Sequence, residues 1–540
     1  MSRTKLDLCR HLLTDIHGEL VSKVGYYLLR KGYAPLKMIA DETSLDIKQV
    51  QRALCVLIQH GIAEFERNNR GFIQYSVSSS RVACCLRYPR YVRCAQLLYG
   101  DVAEILVEEL LQAGQATMSD IVNKTMDRLN ADLETAGRPK ISASVVQDKF
   151  TNLVRTHFLQ RCQEPMLDDK KRVVSLEPPP DPKDLFIIPP MEMEGGGKGT
   201  KRKREEEGAS SNKKLKTDSS NTKDTSGDAV YWHVNCERFH YHLRDQAIIS
   251  AVASRLDKKA SEIMRAILRL SETTTDPMET RTHPVSLTDI LGALPKDFIL
   301  TRTTVEQYLR VITDDMPEFL SKAGDSSGGL FVVNIFQAYE ALCKAHIESV
   351  VQERFGSKSL RIFRVLLVKK QVEQPQIESC AMIPAKETKE LLYRMMQENF
   401  VTFTELAKTP DHAPSRTLYL FNVNLRQVAA MLLERCYKAV GNAMVRRSLE
   451  VSEHKRLLDK QERVEAIIAS LEQQHQAGAE VDEAQKEEIR EMITPPERQQ
   501  LNRVKTVANR LELSELQVDE TIFILETYLS FTRRPPAPKK

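Results

Sequence analysis

Long apolar runs are missing from this sequence. Its stretches of consecutive apolar side chains extend only a few residues, against the ~20 needed to cross a bilayer, so a soluble chain with no membrane partner is expected. A disulfide framework is missing as well. Ten cysteines are scattered without a CxxC or a paired spacing, which fits free thiols in a reducing compartment. The opening MSRTKLDLCR has neither an apolar core segment nor a cleavage site, so secretion is not expected. An excess of one charge is also absent, since 78 basic and 74 acidic side chains leave +4. Residues 198–216 alone hold eight basic and three acidic side chains, a local +5, so the rest of the chain stands at about −1. A neutral body does not grip phosphate backbones by bulk charge, and any nucleic-acid contact must come from local patches.

Groups that resemble catalytic motifs lack the context catalysis needs. Gly324-Asp325-Ser326-Ser327-Gly328 spells GxSxG, but a nucleophile elbow needs a strand before the serine and a helix after it. Here apolar segments of strand character lie on both sides, which predicts a hairpin turn. His233, Cys236, His240 and His242 cluster locally, yet a structural zinc takes two separated ligand pairs and no second pair follows. Gly356-Ser357-Lys358-Ser359 and Gly197-Lys198-Gly199-Thr200 both miss the phosphate-loop pattern. No enzymatic activity, cofactor or metal is expected.

At 540 residues the chain exceeds one hydrophobic core and predicts three or four domains of ~150 residues. Leu6, Leu8, Leu12, Leu13, Ile16, Leu20, Val24 and Leu28 recur at helical spacing, and a short helix begins at Leu36. Asp46 is a plausible N-cap for a helix over 47–60, which Gly61 stops. Residues 62–77 read as two strands around Arg67-Asn68-Asn69-Arg70-Gly71. Helix, short helix, turn, longer helix and hairpin is the order of a winged helix. The same order recurs over 102–159, 239–334 and 359–422, an internal repeat of ~80–100 residues.

From Met431 onward, Leu457, Val464 and Leu471 stand seven apart, and Leu501, Val504, Val518, Ile522, Leu525 and Leu529 continue a stripe. Such stripes predict a pair of amphipathic helices forming an antiparallel hairpin. The fold class is mainly α with small β-hairpin wings: four tandem winged-helix domains plus a C-terminal antiparallel coiled-coil hairpin. The boundaries are winged helices at 1–80 and 81–163, a Pro/Gly/basic linker at 164–228, winged helices at 229–336 and 337–428, the hairpin at 429–531 and a disordered tail at 532–540. The latter half of the linker is also expected to be disordered. Within it, Lys201, Arg202, Lys203 and Arg204 with Lys213, Lys214 and Lys216 read as a two-part nuclear import signal, the alternative being a solubilising linker.

Basic edges supply the candidate DNA contacts. On the first module these are Lys48 and Arg52 with Gln49 on the recognition helix, and Arg67 and Arg70 with Asn69 on the wing. Arg87, Arg90 and Arg93, with Tyr88 and Tyr91, form a dense aromatic-basic segment suited to phosphate or single strands. Arg354, Lys358, Arg361 and Arg364 make a third run. Solvated faces and protein-docking faces are the alternatives, and the neutral body favours protein contact for any single module.

Several segments carry a resemblance. RYPRY at 87–91, FHYHLRDQAIISAV at 239–252, SVVQERF at 349–355, AMIPAK at 381–386, TPDHAPSR at 409–416, RVEAIIAS at 463–470 and QVDETI at 517–522 resemble the third-largest subunit of RNA polymerase III in its vertebrate form, over essentially the whole chain. The resemblance implies four extended winged helices and a coiled coil similar to the alpha subunit of general transcription factor IIE. It implies a non-catalytic nuclear subunit that joins two smaller polymerase III subunits on the clamp of the largest one. There it would meet the promoter initiation factor complex and DNA near the melting region, for transcription of tRNA, 5S rRNA and other small RNAs. The family is also tied to cytosolic sensing of AT-rich DNA. Two rivals are a standalone winged-helix regulator, which would need a basic recognition face, and a scaffold outside transcription, which would lack the import clusters.

Overall fold

The structure is a computed structural model that describes residues 2–68, 71–135, 137, 139–167, 173–177, 181–188, 230–272, 274–276, 279–295, 301–315, 317–407, 417–476 and 483–533. The import clusters, the latter half of the expected linker, Asn69, Arg70 and the tail from 534 lie outside them. The chain divides into an N-terminal unit, residues 13–240, and a C-terminal unit, residues 241–540 together with 1–12. Among the described residues no helix is long and apolar enough to cross a membrane.

The N-terminal unit begins within α1 (Arg3–Lys31), which breaks at Gly18 with φ 83° and ψ 172°, a left-handed setting that glycine adopts without a Cβ penalty. Beyond it come β1 (Ala34–Pro35), α2 (Leu36–Thr43), α3 (Ile47–Gln59), β2 (Ala63–Arg67) and β3 (Ile73–Val77). The first turn of α3 is held by Gln49, whose side chain accepts from the Asp46 N–H at 3.3 Å. The sheet order is β1-β3-β2, so the second wing strand lies in the centre, paired to Ala34 through Tyr75 and to Phe65 through the same residue.

A second module follows through α4 (Ser79–Cys84), α5 (Tyr88–Tyr99), α6 (Asp101–Ala113), β4 (Ala116–Thr117), α7 (Met118–Thr135), α8 (Ala143–Arg155) and β5 (Leu159–Arg161). Its central strand is β8 (Tyr231–Val234), in the order β4-β8-β5. This corrects the expected boundaries. The expected linker, 164–228, lies in sequence between β5 and β8, yet these two strands pair, Leu159 with Val234. Its first part forms a separate hairpin, β6 (Glu164–Leu167) with β7 (Val173–Glu177). Trp232 anchors β8, fully buried and edge-on to Phe150 at 5.6 Å.

α9 (Cys236–Arg255) has residues 236–240 in the N-terminal unit and those from 241 onward in the C-terminal unit, where α10 (Lys258–Ser271) follows. Asp257 separates them as the cap of α10, accepting from the Ala260 N–H at 2.7 Å. The third module adds β9 (Val285–Ser286), α11 (Leu287–Ala293), α12 (Arg302–Asp314), β10 (Leu320–Gly324) and β11 (Leu330–Val333), in the order β10-β11-β9. The GxSxG segment is the turn between β10 and β11, as its flanks predict. The fourth has α13 (Ile335–Phe355), α14 (Ser357–Lys369), β12 (Gln371–Glu373), α15 (Gln374–Ala381), α16 (Ala385–Gln397), β13 (Thr402–Ala407) and β14 (Thr417–Asn422), in the order β12-β14-β13. The four three-stranded sheets among the described residues thus share one topology, which gives the repeat a structural form.

The remaining helices are α17 (Leu425–Glu453), α18 (Lys455–Gln476), α19 (Glu483–Glu491) and α20 (Pro495–Arg533). Tyr437 reaches Glu526, Arg447 reaches Glu515 and Lys460 reaches Glu497. Rising numbers on one arm meet falling numbers on the other, so α20 runs antiparallel to α17 and α18 and the hairpin pairs internally. Ile524 and Phe531 of α20 join the core of the third module, and Phe336 lies flat against Tyr528 at 6.2 Å. The first turns of α1 belong here too: Lys5 bonds Glu526 at 3.2 Å and stands 5.4 Å over the Tyr437 ring. The expected domain 1–80 is therefore divided, because Leu8, Cys9 and Leu12 bury within the C-terminal unit.

Candidate functional site

The four modules present different surfaces at their candidate contact residues. On α3, Lys48 and Arg52 are exposed one turn apart and make no ion pair with another described residue. Buried Val50, Ala53, Leu54 and Leu57 hold the opposite face against the module core, so the basic side is fixed outward. Gln49, expected at DNA, serves as the helix cap. Arg67 is exposed at the end of β2, and Arg70 lies outside the described residues.

The aromatic-basic segment is not an open platform. Arg87 is only 4% exposed and Tyr91 is fully buried. Tyr91 stacks on Phe239 at 4.9 Å, and its hydroxyl lies 2.6 Å from His240 Nε2. Arg90 is half-buried and Arg93 is exposed beside Gln96. The cause is helical phase: on α5, Tyr91, Cys94 and Ala95 form the inward stripe, so every third or fourth residue goes into the core. Density along the sequence hides that division.

The run on the fourth module is exposed but internally partnered. Lys358 pairs with Glu387 at 2.6 Å and Arg364 with Glu348 at 2.8 Å. Arg361 donates to the Ala381 carbonyl at 3.1 Å. Arg354 and Arg435 share Glu398. Burial would raise the Glu398 pKa, but the bonds from Arg435 and Arg354 outweigh it and hold the carboxyl below its ordinary value. Each such pair is worth about 0–1 kcal/mol, so a phosphate could replace a carboxylate here, at the cost of leaving that carboxylate beside it.

Large apolar side chains also stand exposed on the modules, notably Phe72 on the first wing, Leu97 on α5, Val368 on α14 and Met382 after α15. Sequence periodicity missed them because each sits in a segment that reads as ordinary core. The histidines that suggested a metal have other partners: His233 meets Gln160 at 2.8 Å and Cys162 at 3.3 Å. Among the described residues no group of three His, Cys, Asp or Glu side chains could hold a metal ion.

Repeated winged helices with uneven surface charge, joined to a helical hairpin, define a modular interaction protein. Family profiles match along the chain: an RNA polymerase III subunit RPC82 helix-turn-helix domain over residues 7–68 and RNA polymerase III subunit RPC82 over 148–342. The POLR3C C-terminal winged-helix domain matches 347–423, and the RPC3 helical hairpin domain matches 456–524. The chain is 46% identical to DNA-directed RNA polymerase III subunit RPC3 of Homo sapiens, over 99% of this chain and 100% of the relative. The corresponding subunit of Danio rerio is 45% identical over 99% of each. That of Dictyostelium discoideum is 29% identical over 43% of this chain and 36% of its own. The chain belongs to the RPC3 family and is a non-catalytic subunit of RNA polymerase III.

Proposed function

We propose that this subunit works in initiation: it sits on the clamp of the largest polymerase III subunit with two smaller subunits and helps bring the enzyme to promoter complexes and open the DNA. It acts in the nucleus, directed there by the paired basic clusters of residues 201–216. The observation that carries this reading is the near full-length match to RPC3 over a chain built from four topologically identical winged helices. Such modules offer faces for several partners at once, and a neutral body leaves DNA contact to local charge.

The two basic edges would meet DNA on different terms. Lys48 and Arg52 can take a phosphate directly, whereas Arg354, Lys358, Arg361 and Arg364 must exchange existing partners. Promoter opening in a reconstituted polymerase III system tests both. Lys48→Glu with Arg52→Glu is expected to reduce open complexes several-fold without loss of the polymerase from the purified assembly. Arg361→Glu with Arg364→Glu is expected to have a smaller effect. Unchanged opening with both double variants removes these edges from the DNA path. Recovery of no polymerase III subunits with the tagged chain would remove the whole reading.

A further inference from the structure

Two cysteines distant in sequence meet in the N-terminal unit. Cys84 ends α4 and Cys236 opens α9. Both line a cleft of about 220 Å³ together with Arg81, Tyr88, Cys162 and His233, and both are free thiols. Cys236 stands one turn before His240 on α9, the residue that Cys84 touches, and its thiol donates to the Val234 carbonyl at 3.9 Å. Cys84 Sγ also lies 3.9 Å from His240 Nε2, which Tyr91 holds through its hydroxyl at 2.6 Å.

The surroundings divide the pair into unequal partners. The bond from Cys236 lowers the Cys84 pKa most, burial opposes it, and His240 and Arg87 add to the lowering. Cys236 is pushed the other way, first by its bond to Cys84 and then by burial, so it stays protonated. Other buried cysteines contrast with Cys84: burial pushes Cys94 and Cys343 up to about 12, where they are inert. Two free sulfurs at the ends of separate helices, both opening on one small cleft with His240 beside Cys84, are the arrangement of an oxidisable sulfur with a resolving partner.

We propose that Cys84 and Cys236 form a peroxide-responsive thiol pair whose disulfide ties α4 to the start of α9, next to β8. The Cys84 thiolate attacks one oxygen of a hydroperoxide, the O–O bond breaks, and the departing oxygen takes a proton and leaves as an alcohol, or as water from hydrogen peroxide. Cys84 is then a sulfenic acid. The Cys236 sulfur attacks it, the S–O bond breaks, and the Cys236 proton leaves with the hydroxyl as water. The two thiols lose two electrons and the peroxide gains them. Reversible disulfides of this kind are the form expected where glutathione keeps other thiols reduced.

The test uses the reduced full chain with sub-stoichiometric hydrogen peroxide at pH 6, quenched by alkylation and mapped by mass spectrometry. The expected product is a Cys84–Cys236 linked peptide that dithiothreitol releases. Cys84 should be consumed at least about tenfold faster than the exposed Cys55 and Cys380, because the thiolate is the reactive form. Cys236→Ser should leave a Cys84 sulfenate that dimedone traps. Oxidation of Cys55 or Cys380 first, or linkage of Cys84 to Cys85 or Cys162 instead, would overturn the proposal. The linked peptide, the order of oxidation and the overturning linkages are read on the wild-type chain and do not depend on the Cys236→Ser variant folding.

Discussion

His17 shows how one residue couples the fold to pH. Its ring meets that of His60 at 4.6 Å and its Nε2 is buried without a partner. Burial first, and the His60 charge second, lower its pKa from 6.5 to about 4, and burial lowers that of His60. Glu104, Glu108 and Arg93 line the same cavity and do not reverse this. Unfolded, His17 takes a proton near its ordinary value, so between about 6.5 and about 4 the unfolded chain binds more protons. Stability is therefore full above that window and falls as the pH drops through it. His17→Gln should flatten the loss of melting temperature between pH 7 and pH 5, measured by differential scanning fluorimetry; an unchanged slope would assign it to other groups. At this scale the sequence is a weak guide. Arg87 and Arg93 read alike as basic residues in one segment, yet one is in the core and the other in solvent, because helix phase decides which face each occupies.

Elements are joined at places the sequence does not mark. Gly114 ends α6 with φ +76°, and a Cβ there would lie 2.6 Å from the Gln59 carbonyl oxygen. The Gln59 side-chain amide in turn donates to the Ala113 carbonyl at 2.8 Å, so the ends of α3 and α6 are closely joined. Gly114→Ala should cost about 1–3 kcal/mol from backbone strain, before the steric clash is added. The one tryptophan, Trp232, is buried in the same unit, so its fluorescence in a denaturant series checks this directly. On α20, Leu525 is fully buried and Leu513 is 59% exposed. Leu525→Ala should cost about 2–5 kcal/mol, whereas Leu513→Ala should stay within about 0.5 kcal/mol, both read from circular dichroism midpoints. The hairpin was legible as an apolar stripe, but its seam was not fully so. Glu515 and Asp519 are buried where a stripe would require apolar residues, and Arg447 meets Glu515 at 3.3 Å. A buried ion pair of this kind breaks the periodicity that sequence reading relies on.

For the whole molecule, the basic excess is concentrated in one segment, and any unassisted attraction to duplex DNA should follow it. The body outside residues 198–216 stands at about −1 while that segment carries +5. Replacing Lys201, Arg202, Lys203, Arg204, Lys213, Lys214 and Lys216 by Gln should reduce the log–log salt slope of duplex binding by up to about 6, at ~0.9 per phosphate contact. Fluorescence anisotropy over a salt series measures it. A slope that does not change would place the phosphate contacts on the folded modules instead.

By itself the sequence determined the fold class, the fourfold repeat and the helical hairpin, since each rests on local periodicity and on punctuation by Gly, Pro and capping residues. The helix over 47–60 was legible for the same reason. Only the tertiary structure decided that β8 returns after a long excursion to complete the second sheet, because strand pairing is a non-local choice between backbones with no periodic signature. It alone assigned the first turns of α1 to the C-terminal unit, paired Arg354 and Lys358 with glutamates distant in sequence and Arg364 with a glutamate of the facing helix, and brought Cys84 beside the start of α9. Each of these depends on which faces meet in space, and one-dimensional spacing does not specify partners.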